Sequence, residues 1–375
     1  MKKLFYNLGN FMYRRPTAKN VKLEYSAEDI RQACSDPAFR EKVYIASPAL
    51  LDMMDMYIDK QENLSEKKLM GLKVSVMKYL IRSRTRTTPF GLFSAVGTGK
   101  FDRINNFSKL QTWYSKKVKI DIEWLFGLIT NLESTYAEKL EFKFNDACYI
   151  KGNRAILLYS SEKNTEEVSV RYTGVFRVLQ DSIKDYEHFN QVISILQNEY
   201  QETPIAKIKS YLKELISKGF LISKLRPSFN EAEPELYFID ICREVGLTEI
   251  STKVTNILCM IEEYEQTAIG EGILKYNEIV AAMKEIFQCS SYLQVDTIIE
   301  GSDFKLTSDI ANEINELASL FVYLSNPVNS NHSNLEQYKN KFLEKYGVDR
   351  EVPLLEMLDT NIGIGAPAMY LKPQN

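Results

Sequence analysis

The sequence predicts an α+β fold in which mixed sheets pack against helices, with a small winged-helix-like unit inserted. Three observations lead there. Apolar residues recur at spacings of three and four in several stretches, among them Leu69, Leu72, Val76 and Leu80 and again Ile205, Ile208, Leu212 and Ile216, the period of an amphipathic helix. Shorter runs rich in β-branched and aromatic residues, such as 155–159, 168–172 and 293–299, read as strands bounded by turns. Between 148 and 218 three strand-like runs are followed by three helical ones, the order of a small winged helix.

The elements follow in order. An apolar strand over 4–13 delivers Arg14 and Arg15 just before Pro16. Ser26 and Asp29 are spaced as a capping box, with Asp in place of the usual Glu, and open a helix to about Ala33. Pro48 starts a helix to about Gln61, with Leu50, Leu51, Met54 and Met56 as core residues. The helix carrying Leu69 to Leu80 ends near Pro89, which disfavours helical dihedrals at Thr88, and 92–96 resumes as a strand. A strand-to-helix transition spans 118–132, with Lys119 and Asp121 on one side of the strand. Strands over 148–150, 155–159 and 168–172 precede helices over 174–183, 186–199 and 204–218, and Gly219 closes the last before a strand at 220–224. The polar run 228–234 reads as a linker. Helices over 236–244, 254–266 and 275–287 follow, then the strand 293–299, a helix over 306–324, a loop at 326–333, a helix over 335–346 capped by Gly347, and a strand-like stretch at 352–357. The expected division is 1–140, 141–227 and 228–375.

Composition bounds the chemistry. At 375 residues, 45% hydrophobic and 26% charged, the chain holds two or three domain-sized units. No apolar run reaches the roughly 20 residues that span a bilayer, and the N-terminus lacks the apolar core of a signal peptide, so the expected location is the cytoplasm. Five scattered cysteines suit reduced thiols. Only His188 and His332 are present, neither in a ligand spacing; they are expected at the surface, and no metal site or Ser-His or Cys-His catalysis is expected. There is no glycine-rich phosphate-binding fingerprint.

One stretch departs from this even composition. From Leu64 to Arg103 nine Lys and Arg face two acids, in a chain whose net charge is -3. Arg offers planar bidentate donors to phosphate or carboxylate and the Thr hydroxyls add short-range partners, so Arg82 to Thr88 is a candidate polyanion site; the other reading is a solvated basic helix end that offsets the helix dipole. Lys78 and Arg82 lie one turn apart on one face. Arg14 is either a strand-end charge exposed to water or part of that site. Asp121 is either the N-cap of its helix or a carboxylate that orients an Arg or takes a proton from a hydroxyl. Asp296 stands in a strand, where Asp is depleted, as a functional carboxylate or a turn former.

The run Lys78-Tyr-Leu-Ile-Arg-Ser-Arg-Thr-Arg-Thr-Thr-Pro-Phe-Gly-Leu-Phe-Ser94 resembles the signature of the lantibiotic dehydratases of LanB type, in their tRNA-dependent glutamylation domain. Arg14-Arg-Pro16, Ala46-Ser-Pro-Ala-Leu50, Lys119-Ile-Asp121, Phe220 to Pro227, Leu293-Gln-Val-Asp-Thr297, Val352 to Asp359 and Gly363-Ile-Gly365 resemble further landmarks in the same order. The resemblance covers the whole chain, which corresponds to the first half of a glutamylation domain, without the glutamate-elimination region. It implies glutamyl transfer from glutamyl-tRNA, as co-substrate and with no other cofactor, to Ser or Thr of a ribosomally made precursor peptide, followed by elimination to dehydroamino acids. It implies that Arg82, Arg86 and Thr88 act at the acceptor end, Asp121 and Asp296 orient the glutamyl group or the accepting hydroxyl, and Lys78 and Arg14 complete a basic wall. Arg84 is grouped with these tRNA-binding cations, although it lies off the matched pattern as a solvent-facing neighbour. The winged-helix-like unit is then a precursor-peptide recognition element that pairs the leader peptide as an added strand, against the alternatives of DNA binding or scaffold. Expected partners are glutamyl-tRNA, the precursor peptide, a second chain carrying the rest of the dehydratase and, as in many family members, a second copy. The alternative function is a non-catalytic leader-binding module acting with a partner chain.

Overall fold

Helices and mixed sheets alternate along the chain, and the computed structural model describes residues 9–18, 25–59, 65–106, 113–160, 165–300, 304–325, 330–348 and 350–367. In chain order the elements are β1 (Asn10–Pro16), α1 (Ala27–Ser35), α2 (Pro37–Ala46), α3 (Pro48–Asp59), α4 (Glu66–Thr85), β2 (Ser94–Asp102), β3 (Trp113–Ile120) and α5 (Ile122–Thr135). There follow β4 (Glu141–Phe144), β5 (Tyr149–Lys151), β6 (Arg154–Ser160), β7 (Thr165–Arg171), α6 (Gly174–Ser182), β8 (Glu187–His188), α7 (Phe189–Glu199), α8 (Ile205–Ser217) and β9 (Leu221–Ser223). The last are α9 (Pro234–Glu244), α10 (Thr248–Glu265), α11 (Ile273–Ile286), β10 (Leu293–Glu300), β11 (Lys305–Thr307), α12 (Ser308–Leu324), α13 (Ser330–Tyr346) and α14 (Leu354–Leu358).

The chain divides into two compact units. The larger comprises Met12–Gly97 and Gln111–Ser302; the smaller comprises Met1–Phe11, Thr98–Leu110 and Asp303–Asn375. The larger unit carries most of a sheet that runs in the order β1-β2-β10-β3, with β10 parallel to β2 and antiparallel to β3. Its strands alternate as a half-buried sheet must: Leu293, Val295, Thr297 and Ile299 of β10 and Lys116, Val118 and Ile120 of β3 are buried, while the residues between them are more open. Two further three-stranded sheets, β8-β4-β9 and β5-β6-β7, belong to the same unit.

Two apolar clusters hold the larger unit. One gathers α1 to α4 around Met54, Leu72, Val76 and Phe93; the other extends from Leu92 to Val295 and has Trp124, Phe176, Phe220 and Tyr264 among its buried side chains. Trp124 is fully buried and its indole N–H donates to the carbonyls of Met283 (3.2 Å) and Phe287 (3.0 Å), so a large apolar surface is buried without orphaning its one donor. Gly127 lets the Phe287 ring lie against α5; a Cβ there would come within 2.4 Å of it.

The predicted helix starts rest on real caps. Ser26 and Asp29 make the capping box reciprocally, and Gly219 and Gly347 take the positive φ of +76° and +84° expected at helix C-termini. Several expectations are corrected. Helix α2 was not foreseen, although Asp36 as N-cap with Pro37 at the first helical position is a clear start signal. Met56 is exposed on α3, outside the core that Leu50, Leu51 and Met54 enter. The expected helix at 186 starts at Phe189, because Glu187 and His188 pair with β4. His188 caps α7 through Nδ1, at a half-buried position; the His332 side chain lies outside those described. Three strands followed by three helices becomes a richer order, with β4 before, β8 within and β9 after. Leu306 belongs to β11, and α12 begins only at Ser308. Residues 330–333, expected in a loop, open α13, while 326–329 lie outside the described residues. The stretch 352–357 is not a strand: Pro353 initiates the short helix α14. Residues 4–8 of the expected first strand also lie outside the described residues. The polar run after Pro227 is a surface loop within the larger unit.

Candidate functional site

The cationic stretch is built by the last turns of α4. Lys78, Arg82 and Arg86 stand four residues apart, which stacks them along one edge of the helix. Arg86 is the C-cap and its N–H donates to the Arg82 carbonyl (3.0 Å). The three cations line an open groove of about 500 Å³ together with Ser75, Tyr79, Ile81 and Phe90, with no acidic residue among the described residues of its wall. The Arg82 guanidinium carbon lies 4.1 Å from the centre of the Phe90 ring, and its Nε–H is buried without an acceptor among the described residues. A guanidinium stacked on an aromatic face keeps its planar donor edge free for an anion.

The loop after α4 is fastened to the sheet. Ser94 Oγ donates to the Thr88 carbonyl (2.6 Å) and Thr297 Oγ1 donates to the Gly91 carbonyl (3.0 Å). Gly91 has a φ of +51°, the left-handed region that glycine enters freely, so the Pro-Phe-Gly turn is compatible with Gly at this position. Thr297 follows Asp296, so the strand that carries Asp296 also anchors the cationic loop.

Asp296 is half-buried on the open face of the sheet and its Oδ2 accepts from Gln294 Nε2 (2.8 Å). Its cross-strand partner is Lys117, and Lys119 stands opposite Gln294 on the same face. Arg14 shares that face. A Cβ on Gly97 would strike the Tyr13 ring on the buried side, where Ala95 and Thr297 also point, so period-2 alternation sends Arg14 to the other side, and Arg14 is indeed exposed. Asp121 follows the end of β3, four strand residues along from Lys117, the partner of Asp296, or about 13 Å at a strand rise of about 3.3 Å. It caps α5: Oδ1 accepts the Glu123 N–H (2.8 Å) and Oδ2 accepts the Ser291 hydroxyl (2.8 Å).

Arg84 is not brought to this groove. It turns to another side of α4, donates to the Tyr25 hydroxyl (2.6 Å) and lines a separate cavity of about 250 Å³ with Lys42, Asp29 and Asp36. It is half-buried there, which corrects its reading as a solvent-facing neighbour. In the same cavity burial pulls the Lys42 ammonium down to about 8, with Asp36 opposing.

Sequence reasoning missed a buried ion pair behind the sheet. Lys116 Nζ lies 2.9 Å from Glu41 Oε1, with both side chains almost wholly enclosed. Lys116 also donates to Thr267 Oγ1 (2.6 Å) and stands over the Tyr264 ring at 4.2 Å. Glu41 accepts in addition from the Tyr264 hydroxyl (2.9 Å) and the Gly270 and Gly272 N–H groups. Burial lowers the Lys116 ammonium from its ordinary value, against the pull of Glu41. The one available signal is Lys116 at a strand position whose same-face neighbours two and four residues on, Val118 and Ile120, are apolar.

The two buried thiols fit a structural role: burial pushes Cys34 up to about 11 and Cys242 up to about 12, away from the thiolate. Among the described residues no three His, Cys, Asp or Glu side chains are grouped to hold a metal ion, and no helix is long and apolar enough to cross a membrane.

A mixed framework of helices and sheets with this loop and groove belongs to a defined class, for residues 35–375 match the family model described as "Lantibiotic dehydratase, N terminus". The chain belongs to the lantibiotic dehydratase family, in its N-terminal region. It is 39% identical over 380 aligned positions to the subtilin biosynthesis protein SpaB of Bacillus subtilis, covering 100% of this chain and 37% of that protein. It is 32% identical over 369 positions to the nisin biosynthesis protein NisB of Lactococcus lactis subsp. lactis, covering 96% of this chain and 36% of that protein. The crystal structure of the tRNA-dependent lantibiotic dehydratase MibB from Microbispora sp. 107891 superposes with a TM-score of 0.73 at 25% identity, covering 98% of this chain and 36% of that one. The glutamylation domain TbtB from thiomuracin biosynthesis, at 15% identity and a TM-score of 0.54, shares the fold. The chain thus spans a little over a third of the length of these relatives.

Proposed function

We propose that this chain forms the donor-binding part of a glutamylation centre, where glutamate passes from glutamyl-tRNA to a Ser or Thr hydroxyl of a ribosomally made precursor peptide. The observation that carries the reading is the groove of Lys78, Arg82, Arg86 and Phe90, a cationic wall with no acid among its described residues, beside a loop tied to the Asp296 strand. In the transfer, the peptide hydroxyl oxygen attacks the ester carbonyl of the glutamyl group. A new ester bond forms, the bond to the ribose oxygen of the tRNA breaks, and the hydroxyl proton passes to that oxygen. The donor is already an activated ester, so positioning and charge stabilisation carry much of the barrier. Lys78, Arg82 and Arg86 hold phosphate or carboxylate groups of the donor end. Thr88 and Arg14 extend the wall, and Asp121 and Asp296 orient the glutamyl amine or the accepting hydroxyl. Elimination of the glutamate then leaves the dehydroamino acid. No cofactor beyond glutamyl-tRNA enters this scheme, and its donor pool sets it in the cytoplasm.

Residues 141–227 form the leader-recognition element of this proposal, between a first glutamylation segment at 1–140 and a continuation at 228–375. In the sheet β5-β6-β7 the outer strands β5 and β7 each keep an edge without a strand partner among the described residues, the feature that strand addition by an extended peptide requires. One observation favours the binding-module alternative: both carboxylate oxygens of Asp121 are already engaged.

Two measurements separate these readings. Labelled glutamate is expected to move from glutamyl-tRNA to a cognate precursor peptide when this chain is combined with the remainder of a dehydratase; leader binding without any transfer would leave the binding module. The Phe90→Ala variant is expected to weaken glutamyl-tRNA binding about 3- to 10-fold, the scale of one partly desolvated cation–π contact. Phe90→Trp should retain affinity and Phe90→Leu should fall with Ala; equal affinities for Leu and Trp in a titration would remove the aromatic face from the site.

A further inference from the structure

The smaller unit has almost no core of its own. Among its described residues a single apolar side chain, Ala311, is buried, while thirteen large apolar ones are exposed; the other buried apolar residues among those described lie in the larger unit. A unit of this kind cannot offset the entropy of ordering its helices unless something covers it.

The exposed residues are ordered. On α12, Ile314, Leu317, Phe321 and Leu324 follow one another at spacings of three, four and three and are between 49% and 67% exposed. At 3.6 residues per turn they fall within an arc of about 80°, a continuous apolar stripe. Ala311 and Ser319, the buried residues of this helix, lie to another side of it. Alternating spacings of three and four make the seam that a second helix packs into. Leu354 and Leu355 of α14 and Ile362 beyond it are exposed as well, so the open apolar surface is not confined to one helix.

We infer that the α12 stripe and the surface around α14 are the docking site for the polypeptide that corresponds to the remaining part of the dehydratase relatives, with an apolar helix of that polypeptide seated on Ile314, Leu317, Phe321 and Leu324. Two observations choose this occupant. The matched region is only 37% and 36% of SpaB and NisB, which leaves a large polypeptide for the family's full architecture. A second copy of this chain would pair through one self-complementary patch, whereas the exposed residues here spread over α12, α14 and the segment after it. The inference builds on the reading that this chain works with the rest of a dehydratase, but docking is measured without any glutamyl transfer.

The test coexpresses this chain with the polypeptide that follows the matched region in SpaB and measures co-purification and affinity. A one-to-one complex is expected, weakened roughly 100-fold by the double variant Leu317→Glu/Phe321→Glu, the scale for losing two central apolar anchors. Phe229→Glu, at an exposed loop position of the larger unit, is the control and should dock normally. Thermal unfolding of the double variant should match that of the parent chain. Docking by Arg82→Glu/Arg86→Glu should also be normal, which separates a failed surface from a failed tRNA site. Absence of a complex, or one indifferent to the double variant, overturns the inference. So does self-association of this chain in sedimentation that the double variant abolishes, since the occupant is then a second copy.

Discussion

The Glu41→Ala variant is expected to lose about 3–5 kcal/mol of folding stability, the usual cost of removing one partner from a buried ion pair. The reason is what remains. Lys116 keeps a charge with no exposed side-chain surface, and the Tyr264 hydroxyl and the Gly270 and Gly272 N–H groups lose their common acceptor. Natural domains are stable by about 5–15 kcal/mol, so this single change consumes a large share, and the melting temperature should fall by roughly 10 °C or more. Lys116→Met alone should also destabilise, because it leaves the Glu41 carboxylate buried and unpaired. The double change Glu41→Leu/Lys116→Met should recover much of the loss, since apolar replacement of a whole buried pair is often tolerated, though Tyr264 and the two glycine N–H groups would keep it short of full recovery. Gly272 leaves no room for a larger repair: a Cβ there would lie within 2.6 Å of Tyr264, Glu41 and Lys116 atoms. Denaturant titrations of the three variants form a double-mutant cycle. A cost below 1 kcal/mol for Glu41→Ala, with no coupling to Lys116, would show that the network is not holding α2 to the sheet.

This network also shows where sequence reading ends. A capping box, a helix stop at glycine, and the alternation of β10 are local, encoded within a few residues of where they act, and those elements fall where spacing places them. The cationic groove was legible for the same reason, since Lys78, Arg82 and Arg86 are brought together by the helix itself. Partners distant in sequence were not. Glu41 and Lys116 meet across 75 residues, and nothing near either names the other. Arg84 differs from Arg82 by two positions, a rotation of about 200° on a helix, and whether that side meets water or Tyr25 depends on α1. The misplaced strand at 352–357 has a related cause: a mostly apolar stretch of six residues, interrupted by Glu356, carries no period long enough to separate helix from strand. Family resemblance supplied what spacing could not, the grouping of Arg14, Asp121 and Asp296 with the loop. The sheet carries Arg14 on β1 and Asp296 on β10 on one face, and Thr297 of β10 ties the loop to the second of these strands.

The Arg82→Glu/Arg86→Glu variant should lose glutamyl-tRNA binding by about 100-fold or more at low salt. Each charge-assisted contact to a phosphate is worth about 1.5–3 kcal/mol, and reversal adds repulsion to the loss. The salt dependence is the sharper readout. Binding through phosphate contacts releases counterions, so removing two contacts should flatten the plot of log affinity against log salt by roughly 1 to 2. Conservative replacement tests the geometry: Arg82→Lys/Arg86→Lys keeps both charges but gives up the planar bidentate fork and the stacked guanidinium on Phe90. Its salt slope should therefore stay near that of the parent chain while its affinity falls. Lys68→Glu controls for net charge. It changes the same helix, but at an exposed position fourteen residues before Arg82, about 21 Å along the axis, and should alter affinity little. Because Arg82 is half-buried against Phe90, thermal unfolding of each variant must accompany the titrations. Unchanged affinity and slope in a folded charge-reversed protein would take the donor out of this groove and leave Arg14 and the open sheet face as the remaining basic wall. A lost slope with Lys68→Glu unaffected would place the acceptor end against α4, with the peptide hydroxyl then approaching from the side of Asp296.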